Sequence, residues 1–375
     1  MRLDSFNPRR LGRVALVVAA NLCLLATLIV ITEGLLRWSA LVPPMLAHGA
    51  PDAALWQFDS VLGWMTVPGV RTVRPVTGPD AGVIRLNEYG FRGRTLTPSR
   101  QGDTPRVLVF GDSFVFGVGI DEQHLFPAVL ERLLCDRRSR PYEVGNFAVT
   151  GYSTDQELLL YRSKGRSLAP DVVILVVCDN DFLANTLDLV YRTYHKPFFA
   201  VDGTGALVLR NVPVPHPSTG QRAAVWLARH SRLWSGLRAG SWWLQVARGR
   251  SSGQDAVALT SALVERFAAE VREDGGRFLV VNTGHRGEDV GPWRALKKRL
   301  VADGIACFGL HERLAAARAA APEQPWDFGR DAHWNVASHE KAAEIVYDIL
   351  LKERMLEDSE RRAASGGRSG SLAAR

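Results

Sequence analysis

Four short runs of aliphatic and β-branched residues set the terms for this chain: Val107–Phe110, Val172–Val177, Phe278–Val281 and Ile305–Phe308. None alternates apolar with polar residues, so each reads as a strand buried on both faces. Tyr142–Val149 is a fifth, more mixed candidate. Longer amphipathic segments separate the runs. The last is the plainest, with Ala342, Ile345, Val346, Ile349 and Leu350 on one helical stripe and Asn335 placed to cap its start. Buried strands spaced by helices predict an α/β fold, a central parallel sheet covered by helices. The 375 residues, 46% of them hydrophobic, suffice for such a core and exclude a disordered or collagen-like chain.

The N-terminus predicts a different environment. Val14–Ile31 is an 18-residue apolar run broken only by Asn21 and Thr27. A helix of that length covers about 27 Å, close to the hydrocarbon thickness of a bilayer. Arg2, Arg9, Arg10 and Arg13 precede the run with only Asp4 against them, so the positive-inside rule puts residues 1–13 in the cytoplasm. A cleaved signal peptide is the competing reading. Its apolar region is usually shorter, and here Glu33 and Arg37 follow in place of a small-x-small site. Residues 14–38 are therefore expected to be an uncleaved transmembrane anchor, with the remainder outside the cytoplasmic membrane. Residues 39–105 read as a membrane-proximal region of short strands and turns, set off by Pro43-Pro44. Residues 183–252 interrupt the α/β rhythm as an insertion, and residues 353–375 read as a flexible tail.

The formal charge of +7 is uneven. Gln221–Arg250 carries six arginines and no acid, and a charge confined to one segment does not support a nucleic-acid partner. Trp226, Trp234, Trp242 and Trp243 interleave there with Arg222, Arg229, Arg232, Arg238 and Arg248. That pattern suits a helical cap packed over a site, or a surface for an anionic membrane or a carbohydrate. Four scattered cysteines without a CxxC argue against a disulfide scaffold and a thiolate zinc site. No P-loop, dinucleotide fingerprint or paired-histidine zinc motif occurs.

Chemistry concentrates elsewhere. Phe110-Gly111-Asp112-Ser113-Phe114 sets a serine directly behind the first buried run, after a glycine suited to a tight turn. Ligands of open α/β sheets bind beyond the carboxyl ends of the strands, which makes Ser113 a candidate nucleophile. A turn serine capping the next helix is the structural alternative. The next two runs lead into Gly151 and Asn180. With strand order 2-1-3, both ends flank the first, so Ser113, the N–H of Gly151 and the amide of Asn180 converge. Acyl transfer needs that grouping, a nucleophile beside neutral donors aimed where the oxyanion develops. Glycine admits close backbone approach, and an asparagine amide donates without adding charge. His333, just ahead of the last helix, is the candidate base. Asp331, two residues earlier, could orient its imidazole, and Asp327 in the same loop is the alternative partner. The GxSxG elbow is absent, since Val115 stands two after Ser113.

Together these residues resemble the SGNH (GDSL-type) hydrolase superfamily, in particular its membrane-anchored bacterial members. Gly111-Asp112-Ser113-Phe114 matches the first block, Gly151 the glycine of the second, Asn180 with Asp181 the third, and Asp331 with His333 the fifth. The match covers about residues 106–352, less the insertion. The resemblance implies a flavodoxin-like three-layer sandwich around the parallel sheet, and a serine esterase or acyltransferase. It implies Ser113 as nucleophile, His333 as base and Asp331 as its orienting partner. The oxyanion hole would be the N–H groups of Ser113 and Gly151 with the amide of Asn180, and no metal or cofactor is called for. The substrate would bear an ester, as an acylated carbohydrate or lipid does. An O-acetyltransferase of an exported polysaccharide and a non-catalytic binding module are the alternatives. Two positions depart from the pattern. Cys178 stands where the third block usually has glycine, and Arg330 stands three before His333 where the fifth usually has aspartate. The DxH spacing followed by Trp334 resembles SGNH-like enzymes that acetylate exported polysaccharides. Gly63-Trp64, Pro68-Gly69 and Asn87-Glu88-Tyr89-Gly90-Phe91-Arg92 resemble a segment of the anchored members.

Overall fold

The computed structural model describes residues 8–39, 55–73, 83–100, 103–190, 194–237, 253–283, 291–328 and 333–357. A long helix, α1 (Pro8–Ser39), comes first. The central sheet follows as β1 (Arg106–Phe110), β2 (Glu143–Asn146), β3 (Val172–Val177), β4 (Arg277–Asn282) and β5 (Ala306–Phe308). All four pairings are parallel and the order is 2-1-3-4-5, the flavodoxin-like arrangement. Val107 stands opposite Val172 and Phe110 opposite Leu175, while Val172 to Val177 run beside Arg277 to Asn282. The numbered helices are α2 (Ser113–Phe116), α3 (Phe126–Arg138), α4 (Thr154–Leu160), α5 (Thr219–His230), α6 (Gly253–Glu273), α7 (Gly291–Ala302), α8 (His311–Ala320) and α9 (Val336–Lys352), with short helices also at Asp181–Ala184 and over 232–237.

The absence of alternation in the strands has the expected cause. Leu108, Phe110, Val173, Leu175, Val177, Phe278 and Val280 join Leu158, Phe267, Trp293 and Leu296 of α4, α6 and α7 in one core. Val107, Val109, Ile174, Val176, Leu279 and Val281 alternate with them and are equally buried. They serve the opposite layer, where α9 packs on α3 and α8 on α9. Each fully buried aliphatic side chain contributes about 1.5–3 kcal/mol, so the two-sided runs carry much of the stability. The stripe of α9 is buried throughout, and Asn335 caps that helix by accepting the Ser338 N–H at 3.3 Å.

The chain divides into two compact units. One comprises Pro51–Pro217 with Gly249–Arg375 and holds the sheet. The segment expected to be membrane-proximal belongs to it where described, as antiparallel pairs Trp56–Asp59 with Gly63–Thr66 and Arg71–Val73 with Val83–Arg85. The first part of the insertion belongs to it too, as ribbons at Leu189–Val190 with Tyr194–His195 and Phe198–Val201 with Leu207–Arg210. Residues 353–357 differ from the tail expected there, since Met355 and Leu356 are buried and the Met355 N–H returns to the Leu350 carbonyl. Residues 358–375 lie outside the described residues.

The other unit comprises Met1–Ala50 with Ser218–Arg248. Residues Gly12–Ser39 of α1 are long and apolar enough to cross a membrane, and no residue of the most apolar stretch is buried by protein. Asn21 and Thr27 do not interrupt the helix, because each side chain donates to the carbonyl four residues back, Val17 at 2.8 Å and Cys23 at 2.9 Å. Part of the Arg/Trp-rich stretch thus groups with α1. Trp242, Trp243, Arg238 and Arg248 lie outside the described residues.

Candidate active site

The nucleophile candidate is positioned by the turn that ends β1. Gly111 has no room for a side chain, since a Cβ there would sit 2.5 Å from Val115 Cγ2. Asp112 caps α2, its Oδ1 accepting the Phe114 N–H at 2.9 Å. Ser113 is therefore the first residue of a one-turn helix at the carboxyl end of a central strand. Its Oγ lies 2.7 Å from Nε2 of His333. The two residues are 220 positions apart in sequence, so the fold alone brings them together. Both are half-buried, within reach of solvent and of a substrate.

His333 is held by aromatic packing. Its ring lies 4.8 Å from that of Phe114, the neighbour of the serine. Trp334 beside it is buried and meets Phe114, Phe126 and His339 edge to face. The loop is closed by an antiparallel bridge between Asp327 and Trp334. Asp331, the expected orienting carboxylate, lies outside the described residues, as does Arg330.

Both expected oxyanion donors come from adjacent strand ends. The Val149 N–H donates to the Gly111 carbonyl at 3.2 Å, which sets the turn carrying Gly151 beside the turn carrying Ser113. Gly151 has φ of 79°, a conformation that favours glycine. Trp64 brackets it, donating from Nε1 to the Thr150 carbonyl and accepting from the Tyr152 hydroxyl. The amide of Asn180 donates to Asp112 Oδ2 at 3.2 Å. An amide nitrogen carries two hydrogens, so one remains for an oxyanion. Cys178 supplies its N–H to Asp181 Oδ2 at 2.9 Å, and burial holds its thiol well above the ordinary range, hence protonated.

Two further residues organise the site and were not singled out for it from sequence. Burial raises the Asp112 carboxyl above its ordinary value, while the Phe114 N–H, the His333 imidazole and the Asn180 amide pull it back. Asp112 thus ties the helix start to Asn180. Arg92 is fully buried, and its guanidinium donates to the carbonyls of Phe116 at 3.0 Å, Gly117 at 2.5 Å and Ile120 at 2.6 Å. Burial lowers its pKa to about 10, so it stays a cation at neutral pH. The signal was present in Asn87-Glu88-Tyr89-Gly90-Phe91-Arg92. Asn87 Oδ1 accepts from Tyr89 and Phe91, Gly90 turns at φ of 85°, Phe91 enters the core, and Arg92 reaches the loop after the nucleophile. Beneath the site, burial also raises Glu157 and Asp181 well above the usual carboxylate range, each pushed further by neighbouring carboxylates.

No family model matches this sequence, and no curated protein matches it either. Solved structures do show similarity. TesA is 13% identical with a TM-score of 0.39, covering 65% of this chain and 97% of its own. A GDSL-like lipase from Parabacteroides merdae is 11% identical with a TM-score of 0.40, covering 67% of this chain and 97% of its own. The psychrotrophic esterase EstA from Pseudoalteromonas sp. is 11% identical with a TM-score of 0.38, covering 66% and 97%.

Proposed function

We propose that this chain is an SGNH-type serine esterase or O-acyltransferase. The observation that carries the reading is the 2.7 Å contact between Ser113 Oγ and His333 Nε2 at the carboxyl end of β1. Ser113 Oγ attacks the carbonyl carbon of an ester while His333 takes its proton. The resulting oxyanion accepts from the N–H groups of Ser113 and Gly151 and the free hydrogen of the Asn180 amide. The tetrahedral intermediate collapses, His333 returns the proton to the leaving alcohol, and an acyl-serine remains. Water, or an acceptor hydroxyl, then takes the acyl group by the same steps in reverse. Asp331 orients the imidazole and stabilises its cation, the role a carboxylate plays in serine triads. The substrate class is an ester-bearing carbohydrate or lipid. In the same proposal α1 is an uncleaved membrane span with the catalytic unit on the outer side, supported by its length and unburied apolar surface.

The test is hydrolysis of p-nitrophenyl acetate and longer esters by the detergent-solubilised full chain. Turnover should fall to background in Ser113→Ala and in His333→Ala, with both variants unfolding at the wild-type temperature. Serine-independent turnover would contradict the proposal. Turnover that rises on adding a sugar acceptor would assign the transferase arm.

A further inference from the structure

The end of α1 carries a docking site for its own unit. Glu33 Oε2 accepts from the Ser231 hydroxyl at 2.9 Å and the Leu233 N–H at 3.0 Å, and Oε1 accepts the Arg232 N–H at 2.8 Å. Those N–H groups open the short helix over residues 232–237, so Glu33 caps it from another helix. One turn later Arg37 Nη2 donates to the His230 carbonyl, the last residue of α5, at 2.6 Å. Trp234 Nε1 closes the turn by donating to the Ala224 carbonyl at 3.1 Å. α5 is well made, with a full capping box from Ser218 and Gln221.

Beside the exposed Arg222, α5 leaves a largely apolar stripe outward. Ala223, Trp226, Leu227 and His230 fall at i, i+3, i+4 and i+7 and are all exposed, with Trp226 at 59% and stacked on His230 at 4.4 Å. Leu237 is exposed at 61%, as is Trp38 at the end of α1 at 84%. A helix rise of about 1.5 Å per residue puts Glu33 some 30 Å along the span from Gly12, where hydrocarbon gives way to headgroups. Tryptophan and arginine favour that layer, one for its amphipathic ring and the other for anionic phosphates.

We propose that residues 218–237 form an interfacial platform, held on the end of the anchor by Glu33 and Arg37, with the Ala223–Trp226–Leu227 stripe inserted among the lipids of the bilayer that α1 crosses. The inference rests on reading α1 as a membrane span. A stripe of three apolar residues on an arginine-rich segment fits a bilayer surface, and its attachment at the headgroup level of the span leaves it beside that surface.

The test uses the full chain in phosphatidylcholine vesicles with phosphatidylglycerol, carrying nitroxide lipids at shallow or deep positions. Leu227→Cys and, separately, Ala223→Cys receive an environment-sensitive fluorophore in a background with Cys23 and Cys135 as serine. Native Cys23, exposed at mid-helix, reports on the span in a parallel sample with Cys135→Ser alone. The expected result is quenching of Cys23 by the deep nitroxide and several-fold stronger quenching of positions 223 and 227 by the shallow nitroxide than by aqueous iodide. Deep quenching at Cys23 with iodide-accessible labels at both α5 positions overturns the platform and leaves the anchor. Iodide access at Cys23 overturns both.

Discussion

At the scale of single residues, the site is built from groups that cannot be exchanged for their nearest relatives. Gly111 touches Val115 closely enough that one methyl would displace the turn, and Gly117 adopts φ of 72° with Leu125 2.1 Å from where its Cβ would be. Asn180 steadies Asp112 with one amide hydrogen, and in the proposed mechanism the other meets the oxyanion. Asn180→Ala should therefore lower kcat by roughly 100- to 1000-fold with little change in KM, as loss of an oxyanion donor does. An equal fall in kcat and in affinity for a ground-state ester would contradict that role. Aspartate at the same position should be no better, since it would set a second anion against Asp112.

At the scale of elements, the loop after Ser113 is held by Arg92 from a distant segment. Arg92→Met removes the guanidinium donor from the carbonyls of Phe116, Gly117 and Ile120; Gly117 keeps the Ile120 N–H at 3.2 Å, and each buried carbonyl left unsatisfied costs roughly 1–3 kcal/mol. Stability in urea should fall by at least one such increment and kcat should fall with it. An unchanged urea midpoint would show that the clamp is dispensable. The α9–α3 contact makes a prediction in pH. His339 is buried, its Nδ1 accepts the Phe126 N–H at 3.0 Å, and burial, with Arg92 and His333 nearby, lowers its pKa from 6.5 to about 3. The unfolded chain then binds a proton below pH 6.5 that the folded chain refuses until about pH 3. This residue's contribution is intact above pH 6.5 and is lost as pH falls, at about 1.4 kcal/mol per unit. His339→Asn keeps an acceptor for Phe126 and cannot be protonated, so its unfolding free energy should decline less between pH 6.5 and 4.5. Parallel slopes for the two proteins would refute the assignment. These elements also mark what could be read beforehand. The four apolar runs became β1, β3, β4 and β5 because strands buried on both faces leave no other composition open, and Asn335 capped α9 as its position required. Glu143–Asn146 was harder to read, since an edge strand ending in polar residues carries a weaker apolar signature. Ser113 and His333 were legible as types near strand and helix ends, whereas Arg92 stood out only within the Asn87–Arg92 segment, without a sign of what it holds. Its partners are backbone carbonyls, which leave no trace in the sequence.

At the scale of the whole molecule, two compact units share one chain, and each answers a different part of its composition. The described part of the arginine-rich stretch, residues 221–237, groups with α1 in one unit, and the apolar strands form the sheet on which the serine stands in the other. The unit that holds the sheet carries the central proposal, that Ser113 is a nucleophile activated by His333. The most direct measurement is peptide mapping by mass after treating the full chain with a fluorophosphonate. The account predicts one adduct, on Ser113, formed more than 100-fold more slowly in His333→Ala and not at all in Ser113→Ala. A folded protein that takes up no probe, or one labelled on another residue while Ser113 stays free, would contradict it.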